Sequence, residues 1–486
     1  MIDPGAYRAT IGLEIHVALN TRSKMFCGCS TDFGAPPNTN VCPVCLGLPG
    51  SLPVTNSGAV NLGIIAARAL GSQVRTRSHF ERKNYHYPDL PKGYQISQYS
   101  APLAVGGELV LDDVEGEGGR IGITRVHLEE DAGKSTHSAD KGSTLLDFNR
   151  CGVPLAEIVT EPHIQSPGQA RRFLEELRAL LRVVGVSEVR MEEGELRCDV
   201  NFNLVRCDEG EGPVRTEISE VKNLNSFRSV QRASEYELKR HVEAVSRGDV
   251  LEHETRHWDE ERGVTYSARS KEMAHDYRYF PDPDLPPLVI DPGYADHLAG
   301  GMPEPPRAKR IRFADEFGLS RYDAAVLVAD PPLADFFEET VSHGASARAA
   351  ARWITGEVAA HLNASGAAIS DVPASPAHLA ELLELLEAEQ ISEKVAKRVW
   401  RDVFESGTMP RVIVERECLA KIDDPEELRD IVSAVIAENP DAAAEYSSGK
   451  DRAIGYLVGK VMEDTRGRAD PRLVNDILRD MLRSGS

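Results

Sequence analysis

Glu195-Leu-Arg-Cys-Asp-Val-Asn-Phe-Asn-Leu204 alternates apolar and polar residues without a break. Leu196, Cys198, Val200, Phe202 and Leu204 fall on one side of an extended chain, and Glu195, Arg197, Asp199, Asn201 and Asn203 on the other, because successive strand side chains point to opposite faces. Two further runs repeat the pattern. In Thr10 to Leu19 the apolar side is Ile11, Leu13, Ile15, Val17 and Leu19, opposed by Glu14 and His16; in Arg125 to Glu129, Val126 and Leu128 oppose Arg125, His127 and Glu129. Such strands, separated by Gly- and Pro-bearing turns rather than regular crossover helices, predict an antiparallel sheet with one face on a core. An ordinary solvated face carries interchangeable polar residues. These faces instead repeat carboxylate, imidazole and amide groups with few Lys, Ser or Thr, the groups that acid–base or metal chemistry needs brought together.

Two helices interrupt the strands. Ser166-Pro167 opens one, with Phe173, Leu174, Leu177, Leu180, Leu181 and Val184 as its apolar stripe before Gly185. The other is expected from about Ser229 to Arg247, stopped by Gly248, and both are read as covers for the apolar sheet face. A proline-rich stretch, Pro281 to Pro306, marks a boundary. Beyond it the chain turns Ala-, Leu- and Glu-rich, with helical runs at His378 to Glu389 and Lys394 to Phe404 and a break at Glu405-Ser406-Gly407. The fold class is therefore α+β, an antiparallel-sheet domain followed by an all-helical domain and a small helical tail, divided as 1–293, 294–405 and 406–486.

The chain's 486 residues, about two-fifths apolar, are too many for one ordinary core. Its start has no basic stretch leading into a long apolar run, and no segment approaches the roughly 18 uninterrupted apolar residues of a membrane span, so a soluble cytoplasmic protein without a membrane partner is expected. A net charge of −21 opposes broad nonspecific binding of nucleic acid; an RNA partner has to be met by local basic patches. Eight cysteines without an export signal point to metal rather than to disulfides.

Cys27-x-Cys29, twelve residues, then Cys42-x-x-Cys45 supplies two close thiolate pairs, each able to clasp one side of a tetrahedral zinc. A redox reading of Cys42 and Cys45 lacks the strand-then-helix setting, since Gly47, Pro49, Gly50 and Pro53 follow. With four protein ligands the zinc would be structural. Cys151, Cys198, Cys207 and Cys418 read as ordinary buried residues. His127 to Ser135 ends in Gly133-Lys134-Ser135 but is no phosphate loop, because Leu128 stands where glycine is required and three successive acids repel phosphate unless a divalent cation intervenes. Taken alone, that segment reads as a solvated acidic turn. Arg82 to Gln95 and Lys271 to Asp284 interleave cations with aromatics, a composition suited to phosphates and bases or to a loop anchored by tyrosines.

Read together, Gly12-Leu-Glu-Ile-His16, the cysteine quartet running into Leu46-Gly-Leu-Pro-Gly50, Arg82 to Gln98, His127 to Lys134, Asn149-Arg-Cys-Gly-Val-Pro-Leu155, Lys222-Asn-Leu-Asn-Ser-Phe227 and Asp276-Tyr-Arg-Tyr-Phe280 resemble the B subunits of the aspartyl/glutamyl-tRNA(Asn/Gln) amidotransferases, the GatB family, in order and spacing and over nearly the whole chain. The resemblance implies a cradle-shaped catalytic domain that phosphorylates the side-chain carboxylate of Glu-tRNA(Gln) or Asp-tRNA(Asn) with ATP and Mg²⁺, after which ammonia displaces the phosphate. It implies a separate glutaminase of the amidase family as the ammonia source, a small third subunit that clasps the two large ones, and a tail that grips the tRNA. The chain itself shows no Gly/Ser-rich amidase segment and no Cys–His pair for releasing ammonia, in keeping with that division.

By the same resemblance, Glu14, His16, Glu129 and Glu157 match Mg²⁺/ATP positions, Asp199 a neighbouring acid, and Lys83 a lysine of the same cavity. Lys83, Glu129 and Asp199 are thereby the catalytic candidates; Glu14, His16, Lys83 and Glu157 are the nucleotide-site candidates. The strand pattern independently puts Glu14 with His16 on one face, and it turns Glu130 away. There are departures: Ile218-Ser-Glu-Val221 intervenes between Thr216-Glu217 and Lys222, leaving Glu217 or Glu220 for one family role; His163 stands where aspartate is usual; and Phe202-Asn-Leu204 replaces Val-Ser-Val. Two rival classes remain, a noncatalytic RNA-binding zinc protein, which predicts no ATP turnover, and a metal-dependent nuclease, which predicts RNA cleavage without ATP.

Overall fold

The computed structural model describes residues 7–114, 116–137, 142–207, 215–270, 276–422, 424–447, 452–465 and 467–484. These form two compact units, Met1–Pro305 and Pro306–Ser486. The first is built on the alternating runs: β1 (Tyr7–Ala18), β2 (Glu81–Asn84), β3 (Tyr94–Ser97), β4 (Gly119–Glu130), β5 (Pro154–Thr160), β6 (Leu196–Arg206), β7 (Ser219–Leu224), β8 (Glu254–Asp259) and β9 (Val264–Ser270). Seven of them lie in one ten-stranded sheet in the order β9-β8-β7-β6-β1-β5-β4, continued by Ala104–Val105 and Gln73–Val74, with Glu108–Leu111 also on β4. Strands β2 and β3 form a separate small sheet with Phe280–Pro281.

β1 lies at the centre, antiparallel to β5 on one side and β6 on the other. Its Ile11, Leu13, Ile15 and Val17 are wholly buried, which is what the period of two requires of the core face. Helix α2 (Pro167–Val183) joins β5 to β6, and α3 (Phe227–Arg247) joins β7 to β8, which pair in parallel. The sheet is thus antiparallel with one parallel pair. Both helices expected from the sequence serve as crossovers: α3 links the parallel neighbours β7 and β8, which no tight turn can join, and α2 carries the chain from β5 past β1 to β6. Ser166 caps α2 as expected; α3 begins at Phe227, two residues earlier than read, because Ser226 rather than a later serine accepts from the backbone of the first turn. The stripe Phe173, Leu174, Leu177, Leu181 of α2 and Val230, Ala233 of α3 share a core with β1 and β6.

A helix not anticipated, α1 (Ser57–Ala69), also packs on this sheet: a Cβ on its Gly63 would lie 2.8 Å from Leu128, so the glycine permits close approach. Helix α4 (Pro292–Gly300) belongs to the same unit. Arg68 pairs with Asp296 at 2.7 Å and Tyr294 donates to Asn61, so the unit runs to Pro305 rather than ending at 293.

The second unit is helical throughout its regular elements. It holds two apolar clusters. One runs from Phe313 to Leu419 around Trp353, Leu379 and Trp400; the other, from Ile422 to Leu482, includes Leu428, Leu457, Val461 and Leu478. Ile413 and Val414, beyond the break at Gly407, belong to the first of these. Among the described residues no helix is long and apolar enough to cross a membrane.

Candidate active site

The face of the sheet opposite the core is where the acids converge. Cross-strand register sets Arg197 opposite His16, His16 opposite Glu157 and Glu157 opposite His127, so one row crosses β6, β1, β5 and β4. Glu14 and Asp199 face each other one step along, and Glu129 is the next residue after His127 on the same side of β4. From this arrangement His16 Nε2 lies 3.4 Å from Glu129 and 3.3 Å from Glu157, while His127 Nε2 lies 3.0 Å from Glu157 and 3.8 Å from Glu129. One donor atom each of His16, Glu129 and Glu157 lies within 4.8 Å of the others, the reach of one metal ion.

The centre of this face is withdrawn from solvent. Glu129, Glu157 and His127 are buried, at 2%, 7% and 3% exposure. Burial raises a carboxyl pKa, yet Glu157 is held well below the usual range because the charges and hydrogen bonds of His127 and His16 outweigh it. Glu129 is likewise lowered: burial and the charge of Glu157 push it up, and the two histidines more than offset them. The imidazoles answer in kind. Burial would lower His127, but Glu157 and Glu129 bring it up to about 9, and His16 is also raised. Two ionised carboxylates with one imidazole form a donor set that fits a divalent cation with coordination positions left for a substrate.

Glu14 and Asp199 are drawn to neighbours. Asn201 donates to Glu14 at 2.9 Å, and Lys222 holds Asp199 at 2.6 Å and Glu220 at 2.8 Å. Glu220 thus stands beside the polar row, whereas Glu217 is exposed. The ammonium of Lys83 lies 5.0 Å from the ring centre of Tyr277 and 5.9 Å from that of Tyr85, with no carboxylate within ion-pair distance among the described residues. Tyr85 and a further ring, Tyr279, feel the site: burial first, then the charge of Glu129, raises the pKa of both, and Ser97 donates to Glu129 at 3.1 Å. Of the aromatic, basic segment, Arg82 is taken up by Asp282 and Asp284 and Lys92 by Glu130; part of the second such segment, 271–275, lies outside the described residues.

The acid triplet is no solvated turn. Glu129 faces the histidines, Glu130 turns to the opposite side and accepts from Lys92 and the Ile96 amide, and Asp131 pairs with Arg197 at 2.8 Å and Arg150 at 3.4 Å. His127, Arg197 and Lys222 were not singled out from the sequence as site residues. The alternation already put the first two on the polar faces, and Lys222 opens one of the motifs that carry the family resemblance.

The four thiols Cys27, Cys29, Cys42 and Cys45 also gather within 4.8 Å, with the sulfurs of Cys42 and Cys45 3.9 Å apart, close to the ~3.8 Å edge of a tetrahedron of Zn–S bonds. A hydrogen bond from Cys27 outweighs burial and brings Cys45 down to about 4, whereas burial and neighbouring sulfurs raise Cys29 to about 11. Such a quartet fits a metal such as zinc. Of the scattered cysteines, Cys151 and Cys198 are buried as expected, but Cys207 and Cys418 are exposed.

Comparison with known families matches residues 9–296 to the GatB/GatE catalytic domain and residues 335–482 to the GatB domain. The chain is 50% identical to the B subunit of the aspartyl/glutamyl-tRNA(Asn/Gln) amidotransferase of Carboxydothermus hydrogenoformans, over 98% of this chain and 99% of that one. It is similar also to the B subunits of the same name from Brevibacillus brevis, at 48% over 98% and 99%, and from Moorella thermoacetica, at 49% over 98% and 100%.

Proposed function

Because this chain belongs to the GatB family, the B subunits of the aspartyl/glutamyl-tRNA(Asn/Gln) amidotransferases, we propose that it activates the side-chain carboxylate of Glu-tRNA(Gln), Asp-tRNA(Asn) or both for conversion to the amide. The observation that carries the reading is the His16–Glu129–Glu157 cluster, its two carboxylates buried, on the polar face of the catalytic-domain sheet.

A carboxylate is a poor electrophile, and ATP with Mg²⁺ supplies it with a phosphate leaving group. His16, Glu129 and Glu157, with Glu14 beside them, would hold the Mg²⁺. His127, which stands against both carboxylates, would keep them ionised inside the protein, while His16 gives up its proton to ligate the ion. Lys83 has no acid partner among the described residues and stands among tyrosines, so it suits a phosphate or the substrate carboxylate; Asp199, anchored by Lys222, would orient Glu14 and its surroundings. Tyr85 and Tyr279, partly buried and within reach of the charge of Glu129, would help to exclude water and so strengthen the charge interactions of the cluster. Zinc at Cys27, Cys29, Cys42 and Cys45 would be structural. Ammonia would come from a glutaminase partner of the amidase family, joined to this chain by a small third subunit, in a cytoplasmic complex, and the last segment of the chain would grip the tRNA body.

The test is incubation of the reconstituted complex with each mischarged tRNA, ATP and glutamine, followed by analysis of the amino acid released from the tRNA. Glutamine or asparagine is expected; recovery of only glutamate and aspartate would reject the function.

A further inference from the structure

Lys24 is fully buried, yet no carboxylate lies within ion-pair distance of it among the described residues. Its ammonium donates to the carbonyls of Asn40 at 2.7 Å and Phe148 at 3.3 Å and approaches the sulfur of Cys45 at 3.7 Å. Glu130 lines the same small cavity but is taken by Lys92 and the Ile96 amide. A buried ammonium without an anion is strongly unfavourable, so a group of opposite charge is wanted beside it. The cysteine quartet is that group: a dipositive ion on four thiolates leaves two negative charges in excess.

We propose that Lys24 is the counter-charge of the metal–thiolate cluster, a positioning residue without which the quartet holds its metal poorly. The inference rests on the zinc reading of the cysteines. Its setting has a second consequence. The carbonyl of Phe148 belongs to the loop before β5, and that loop is laced to the cysteine segment: Asn149 donates to Pro36 at 2.7 Å and accepts from the Asn40 amide, and the Met25 amide donates to Gly152. Gly152, at φ +87°, leaves room for the lysine stem, since a Cβ there would lie 3.3 Å from Lys24 Cδ. Lys24 therefore ties the charge of the cluster to the loop from which β5, bearing Glu157, emerges.

Zinc content and chelator competition are measured on the full-length wild type, Lys24→Met and Lys24→Gln, and thermal melting on zinc-loaded and zinc-stripped protein. Both variants are expected to release zinc to chelator at least tenfold more readily, Lys24→Gln included although glutamine can still reach a carbonyl. Lys24→Met should lower the melting temperature of the loaded protein but not of the stripped protein, where the lone cation is itself a cost. Wild-type retention in both variants, or an equal loss of stability with and without zinc, overturns the role of Lys24. Wild type without bound zinc overturns the cysteine reading with it. If the single variants do not accumulate folded, they are made in Cys42→Ser: no further loss there supports the proposal, and the same loss as in wild type overturns it.

Discussion

Two carboxylates buried together repel each other, and Glu129 and Glu157 share one site because His16 and His127 stand against both. Replacing Glu129 or Glu14 by glutamine removes a charge without changing size. Each variant is expected to fold and bind tRNA as the wild type does while losing carboxylate activation by roughly a hundredfold or more, the upper range for disturbed metal sites. Measured formation of the phosphorylated aminoacyl-tRNA at the normal rate would remove that residue from the ligand set. At this scale the sequence was legible as far as alternation reaches. Glu14, His16, His127 and Glu129 could be set on polar faces from their own strands, but which of them meet depends on register between strands far apart in the chain. The acid triplet shows the limit: read locally it looked solvated, and it is buried because Lys92, Arg150 and Arg197, all remote in sequence, come to it.

Elements were legible where a period was long and uninterrupted. β1, β6 and α2 followed from their patterns; α1 did not, because Gly58 and Gly63 weaken its helical signal by about 1 kcal/mol each relative to alanine. The parallel pairing of β7 with β8 was likewise hidden, since the strand pattern says which face is buried but not the direction of the neighbour. Helix α3 carries its own test. Its Glu237, wholly buried, accepts from Arg240 at 2.7 Å and lies 3.2 Å from Arg256. Burial alone would raise its pKa, but His241, Arg240 and Thr265 hold it down at about 2. A carboxyl whose folded pKa is depressed stabilises the fold above its unfolded pKa and loses that contribution as the pH falls toward the folded value. Stability should therefore drop between about pH 5 and pH 2, and Glu237→Gln should flatten that slope while costing about 3 kcal/mol at neutral pH, as broken buried ion pairs do. Denaturant titrations of both proteins across that range would decide it; parallel curves would show that Glu237 does not govern acid sensitivity. For the cysteine loop, Cys42→Ser should remove zinc and lower the melting temperature more than it changes the chemical step. Normal stability of that variant, with no zinc in the wild type, would contradict a structural metal.

At the scale of the whole molecule, the division falls within the proline-rich stretch, at Pro305 rather than at 293, because α4 looks like linker but rests on α1 through Ala295 and the Arg68–Asp296 pair. The helical break at Gly407 misled in the same way, since Ile413 and Val414 complete the preceding cluster. A cut before Ser406 would thus strip a core, whereas a cut after Lys421 spares it. From Glu445 to Ser486 the chain has eight Lys/Arg and seven Asp/Glu, a balance of +1 in an otherwise acidic protein; Lys450, Asp451 and Arg466 of that stretch lie outside the described residues. Truncation after Lys421 should weaken tRNA binding in a salt-dependent manner while leaving the acid cluster and the cysteines in place. Equal affinity of full-length and truncated complexes at two salt concentrations would leave the tail without a tRNA role. Whether the polar face of the sheet activates a tRNA-borne carboxylate can be read by following ATP consumption and amide formation together, with ammonium as nitrogen donor, in reconstituted complexes of wild type and Glu129→Gln. The prediction is phosphate released in step with amide only when Glu-tRNA(Gln) or Asp-tRNA(Asn) is present, and neither product from Glu129→Gln although it still binds the tRNA; amide formed without ATP, or undiminished in Glu129→Gln, would contradict it.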